Sequence, residues 1–126
     1  MATRKVMVVE DDSDILDNMT MILESEGYET IQASNGQIAL NQLKLLSKND
    51  QPNCIILDLM MPVMDGRVFM ETLIREHPED LAKIPIIIAT AKGSAGEEAV
   101  KVPRVVDRIK KPFDLKEFIK VVARHC

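Results

Sequence analysis

No apolar run in the sequence approaches the roughly 20 residues that a membrane-spanning helix needs. The first apolar stretch, in "MATRKVMVVEDD", lies too close to charges to serve as a signal peptide. A cytoplasmic location without a membrane partner is therefore expected. Basic charge is also in deficit: 16 Lys and Arg stand against 20 Asp and Glu, for a net charge of -4. Such a chain lacks the footprint that neutralises a phosphate backbone, so nucleic acid is not expected as a partner. Cysteine is scarce, with Cys54 inside an apolar run and Cys126 at the last position. Neither has ligand spacing and no disulfide framework is supported, so both are expected as free thiols in a reducing compartment. His77 and His125 have no ligand spacing either and are expected at the surface.

What is present fits one domain over residues 1–126, with enough apolar content to close a single core. Short β-branched runs alternate with helical periodicity. "KVMVV" (5–9) is a strand, followed by a helix with Ile15, Leu16, Met19, Ile22 and Leu23 inward, capped by Ser13 or Asp14 and ended by Gly27. "ETIQA" (29–33) is a second strand. Ile38, Ala39, Leu43 and Leu46 line the next helix, which stops in "SKNDQPN". "CIIL" (54–57) is the third strand, and a helix over roughly 67–76 turns Val68, Phe69, Leu73 and Ile74 inward. "PIIIA" is a fourth strand, 105–110 a weaker fifth, and the box Asp114 to Glu117 opens a last helix.

Strands this apolar have no wet face, and their alternation with helices predicts an α/β fold. The expected architecture is a doubly wound parallel sheet covered by helices on both faces. Sites in such sheets lie at the carboxyl ends of the strands. That places Glu10, Asp11 and Asp12 (after the first strand), Asp58 (third), Thr90 (fourth) and Lys111 (fifth) along one edge. Each alone has an ordinary role: acids start helices, Asp forms turns, Thr caps, and a lysine is solvated. Together they suit one chemistry. Crowded carboxylates need a cation, and Mg²⁺ takes oxygen ligands from one or two carboxylates plus phosphate oxygens. Asp58 can then act as a nucleophile toward a phosphoryl group, with Lys111 supplying charge and Thr90 a hydroxyl.

"VVEDD", "IILDLMMPVMDG", "IIIATA" and "KKPF" resemble, in order and spacing, the receiver domains of bacterial two-component response regulators. The resemblance covers essentially the whole chain and implies a flavodoxin-like five-stranded sheet in the order 2-1-3-4-5. It implies that Asp58 is the phosphoacceptor, that Glu10 and Asp11 organise Mg²⁺, and that Met60 adds its backbone carbonyl to the metal. It further implies Thr90 as the switch hydroxyl and Lys111 as the phosphate-pairing lysine. The donor implied is a phosphohistidine on a histidine kinase or a histidine phosphotransfer protein, and the output is a change in protein partner. The only reactions implied are the chain's own phosphorylation and dephosphorylation.

Three features depart from the family pattern. Arg108 stands where receivers carry Tyr or Phe three residues before the lysine. Pro103 predicts that the helix begun near the box Ser94 to Glu97 ends by Val102. Met60 and Lys92, two residues beyond Asp58 and Thr90, occupy places that look over the phosphoryl group; an apolar Met60 predicts slow self-dephosphorylation. Two rivals are weighed against the receiver. An aspartyl-phosphate phosphohydrolase wants a second Asp at position 60, which is Met. A flavodoxin-like nucleotide module wants a Ser, Thr or Gly loop after the first strand, where this chain has acids. With Cys126 directly after the last helix, the expectation is a stand-alone receiver or a fragment of a longer regulator.

Overall fold

Apolar residues alternate in direction along each central strand, and this period of two assembles the two cores of a layered sandwich. The structure is a computed structural model that describes residues 4–59, 64, 66–76, 83–90, 105–111 and 113–126, with the backbone alone at Lys48 and Thr90. Five strands, β1 (Lys5–Val9), β2 (Glu29–Ala33), β3 (Cys54–Asp58), β4 (Ile86–Thr90) and β5 (Val105–Lys110), form one parallel sheet in the order β2-β1-β3-β4-β5. The described helices are α1 (Ser13–Ser25), α2 (Gly36–Leu45), α3 (Gly66–Glu76) and α4 (Leu115–His125). The expected doubly wound α/β sheet and its strand order are the ones found.

Met7 and Val9 of β1 and Ile55 and Leu57 of β3 point to one face, where Leu40 and Leu43 of α2 and Phe69, Met70 and Leu73 of α3 cover them. Val6, Val8 and Ile56 point to the other face, under Leu16, Met19 and Leu23 of α1 and Phe118, Val121 and Val122 of α4. β3 is buried along its whole length. β5 lies at the sheet edge and carries a bulge near its start, opposite Ile86 and Ile87. Asp107, Arg108 and Lys110 place charge along that edge. Arg108 is exposed there.

Helix starts and faces differ in detail from the expectations. α1 is capped by Asp12, whose carboxylate accepts the backbone N–H groups of Asp14 and Ile15 at 2.9 and 3.2 Å, rather than by Ser13 or Asp14. Gly27, at φ +92°, takes the turn out of this helix, a conformation that L side chains adopt with strain. On α2, Ala39 and Leu43 are buried as expected and Leu40 joins them, while Ile38 is exposed; on α3, Phe69 and Leu73 are buried as expected and Met70 joins them, while Val68 is exposed. The helix expected before Pro103 lies outside the described residues.

The expectation of two free thiols is corrected. Cys54 and Cys126 form a disulfide across 72 positions of sequence, with Cα atoms 5.6 Å apart. The reason is directional. α4 follows a parallel strand and runs back along the sheet, so its last residue reaches the amino ends of the strands, where Cys54 begins β3. The Arg4 guanidinium donates to the Cys126 carbonyl at the same end.

His125 is also more than a surface residue. Its Nε2 lies 2.9 Å from Asp107 Oδ2, which accepts from Arg124 at 3.0 Å as well. Burial raises the Asp107 carboxyl, but the Arg108 backbone N–H, the His125 hydrogen bond and the His125 and Arg124 charges outweigh it and hold it below the usual value of 3.8. A carboxyl lowered in the fold stabilises above its unfolded pKa and loses that contribution as pH falls through its folded pKa. Asp107→Asn is therefore expected to flatten the acid limb of a stability profile below about pH 4. At pH 7 solvent screening limits its cost to less than about 1 kcal/mol, as urea unfolding across pH will read.

Candidate functional site

β1 and β3 are neighbours in register, Val9 opposite Leu57, so the residues that follow them emerge side by side at the carboxyl edge. Glu10 is fixed by its backbone N–H, which donates to the Ala33 carbonyl of β2 at 3.0 Å. Glu10 is only 1% exposed, and Asp58 at the end of β3 only 5%. Asp11 is exposed beside them. One carboxylate oxygen from each of Glu10, Asp11 and Asp58 lies within 4.8 Å of the others. Asp12, next in the acidic run, is engaged in capping α1.

Lys111 follows β5 directly and returns to this group. Its Nζ donates to both carboxylate oxygens of Glu10, at 2.7 and 2.9 Å, and lies 3.5 Å from Asp58 Oδ1. The lysine does not balance the site. Burial pushes the Glu10 carboxyl up to about 8, the hydrogen bond and negative charge of Asp58 add to this, and Lys111 opposes it. Asp11 is raised too, first by loss of surrounding water and next by Asp58, while its own backbone and Lys111 oppose the rise. Among the described residues three carboxyl groups meet one ammonium, so the pocket is rich in oxygen donors. That donor set suits a hard divalent cation, and Glu10, Asp11 and Asp58 could hold one.

β4 brings Thr90 to the same edge. Asp58 pairs in register with Ala89, so the Thr90 backbone is one step beyond it, opposite Lys110. Met60 and Lys92 lie outside the described residues, as does Pro103. Gly66 supports the site in a way that the sequence reading missed. Its N–H donates to the Leu59 carbonyl at 3.0 Å, so the chain enters α3 at the point where it leaves β3. A Cβ at position 66 would lie 2.7 Å from the Asp58 carbonyl oxygen. The available signal was a glycine between a strand and a helix, which marks close backbone approach.

A family model described as the response regulator receiver domain matches residues 6–123. The transcriptional regulatory protein SrrA of Staphylococcus aureus is 37% identical over 121 residues, which cover 93% of this chain and 45% of SrrA. The chain thus spans less than half the length of the curated relatives it matches. Among solved structures, a response regulator receiver protein from Pseudomonas putida superposes with a TM-score of 0.83 at 26% identity, covering 98% of each chain. The chemotaxis protein CheY4 of Vibrio cholerae shares the fold, with a TM-score of 0.84 at 24% identity over 99% of this chain and all of that one.

Proposed function

The chain belongs to the response regulator receiver family, a signalling domain of two-component systems, and from that premise we propose that these residues form a Mg²⁺-dependent phosphoacceptor switch. The observation that carries the reading is the buried Asp58 carboxylate, held at a strand end within 4.8 Å of Glu10 and Asp11 and 3.5 Å from Lys111. An Asp58 oxygen attacks the phosphorus of a phosphohistidine on a histidine kinase or phosphotransfer protein. The new O–P bond forms as the P–N bond breaks, and the imidazole leaves with the electron pair. Lys111 moves from Glu10 to a phosphoryl oxygen, and the Thr90 hydroxyl donates to another. Glu10, Asp11, Asp58 and the Met60 carbonyl would hold Mg²⁺, which supplies neutralising charge for the phosphoryl oxygens when bound.

The rigidity of β3 serves this role, because a nucleophile on a buried central strand keeps its place without an ordering cost at each turnover. Output follows from new charge at the edge: the loops bearing Thr90 and Lys111 close on it and shift the balance between two surfaces, so that a downstream protein binds differently. We place this exchange in the cytoplasm, where such kinases present their phosphohistidine. SrrA is a transcriptional regulator of which these residues match only part. The expectation of no nucleic-acid partner, drawn from charge, is therefore confined to the 126 residues and not extended to a longer protein.

The phosphohydrolase reading lacks an Asp at position 60, and the nucleotide reading would set a phosphate against Glu10 and Asp11. The receiver reading is tested by incubating the chain with a small phosphodonor, with and without Mg²⁺, and weighing the product. An alkali-labile phosphoryl adduct that forms at least about tenfold faster with Mg²⁺ is expected. Equal rates with and without the metal would overturn the metal dependence.

A further inference from the structure

The bond between Cys54 and Cys126 lies at the opposite edge from the carboxylates, and α4 joins the two edges. The helix begins at Leu115, four residues after Lys111, and its eleven residues extend about 16 Å, close to the length of a five-residue strand. Its inner face is fixed by Phe118, Val121 and Val122 against the sheet, and Phe113 stacks on Phe118 with ring centroids 4.9 Å apart. Its far end is closed by the disulfide, by Arg4 on the Cys126 carbonyl, and by Asp107 on Arg124 and His125. The disulfide is the one covalent fastening among these.

We propose that Cys54 and Cys126 form a reversible redox site that sets how tightly α4 is held to the sheet. The inference rests on the receiver reading for the compartment alone: in a cytoplasm kept reducing by glutathione, a disulfide persists only if strongly favoured and otherwise follows the thiol pool. Cys126 is 6% exposed and Cys54 fully buried. Attack by a glutathione thiolate therefore falls on Cys126, the more exposed of the two, and Cys54 leaves as thiolate. A second glutathione thiolate attacks the mixed disulfide, releasing Cys126 and forming oxidised glutathione. In sum two electrons and two protons pass to the protein from two thiols. The reduced helix keeps its apolar face and its Arg4 and Asp107 contacts, so it stays folded but opens more often at its carboxyl end.

The test places the full chain in glutathione mixtures from reduced to oxidised, alkylates free thiols, counts them by mass, and follows amide exchange over residues 118–126. Two alkyl groups in the reduced mixture and none in the oxidised one are expected, with exchange about tenfold faster after reduction and a Tm about 10 °C lower. Cys126→Ser and Cys54→Ala should each exchange like the reduced chain and ignore the mixture. The proposal is overturned by a bond that survives excess reduced glutathione, by thiols that stay free under oxidation, or by exchange that is equal in both states. The phosphodonor adduct, weighed on the same samples, separates the two readings: its absence in both redox states counts against the receiver alone, while the thiol count and exchange still decide the switch.

Discussion

Asp58→Asn is expected to abolish the phosphoryl adduct, by at least about a hundredfold, and at the same time to make the metal-free chain more stable. The first effect follows from chemistry, because an amide oxygen is a poor nucleophile and cannot carry the charge of an acyl phosphate precursor. The second follows from burial. Asp58 and Glu10 are almost fully enclosed, share a space 4.8 Å across with Asp11, and have Lys111 as the described cation within reach. Removing one negative charge relieves repulsion and desolvation, while Lys111 keeps its two bonds to Glu10. A gain on the order of 1 kcal/mol, or about 3–5 °C in Tm, is expected. Mg²⁺ should reverse the ranking, since a ligand stabilises in proportion to its affinity and the variant has lost a donor. Thermal unfolding with and without Mg²⁺ checks both signs. A variant less stable than the parent without metal would mean that the Asp58 contact with Lys111 outweighs the crowding.

The strands and the edge of the site were legible because they depend on local pattern. β3 announces itself as an apolar run ending in a charge, and the doubly wound class follows from alternation with right-handed crossovers, whereas the strand order rests on the family resemblance. Which residues of a helix face inward was less legible. On α2, Ile38 and Leu40 lie on neighbouring stripes, and the approach angle to the sheet, a tertiary quantity, selects Leu40. The cap of α1 lies one or two residues before the expected Ser13 or Asp14, because Asp12, Ser13 and Asp14 all offer capping oxygens and geometry alone assigns Asp12 to the helix and Asp11 to the carboxylate group. The Cys54–Cys126 bond was illegible for a different reason. Its two ends are 72 residues apart, and only the return path of α4 brings them together. The contact of Lys111 with Glu10, rather than with Asp58 alone, likewise depends on how the chain turns after β5.

Gly66→Ala is expected to lower both stability and phosphorylation, and the size of the loss tests whether the site is held from behind. Two effects compete. Alanine in place of glycine in a helix gains up to about 1 kcal/mol of propensity. Against this, the added methyl would lie 2.7 Å from the Asp58 carbonyl oxygen, 2.9 Å from Leu59 Cα and 3.0 Å from Leu59 Cδ2. Two of these three neighbours are backbone, and moving them means moving the end of a strand whose every residue is buried. Overpacking of this kind costs about 1–3 kcal/mol, toward the upper end where the obstacle cannot rotate away. A net loss of about 1–2 kcal/mol is therefore expected in urea unfolding. Gly36→Ala is the control: its methyl would press mainly on the Met64 side chain, at 3.1 and 3.2 Å, with the Met64 carbonyl also at 3.1 Å. Methionine repacks readily, so that variant should cost less. Because the Asp58 carbonyl is the nearest obstacle to residue 66, any relaxation displaces the nucleophile. The adduct should form about tenfold or more slowly in Gly66→Ala under conditions where the chain is fully folded. If the rate is unchanged while stability falls, α3 yields instead of β3, and the position of Asp58 is set by the sheet without support from the helix that follows it.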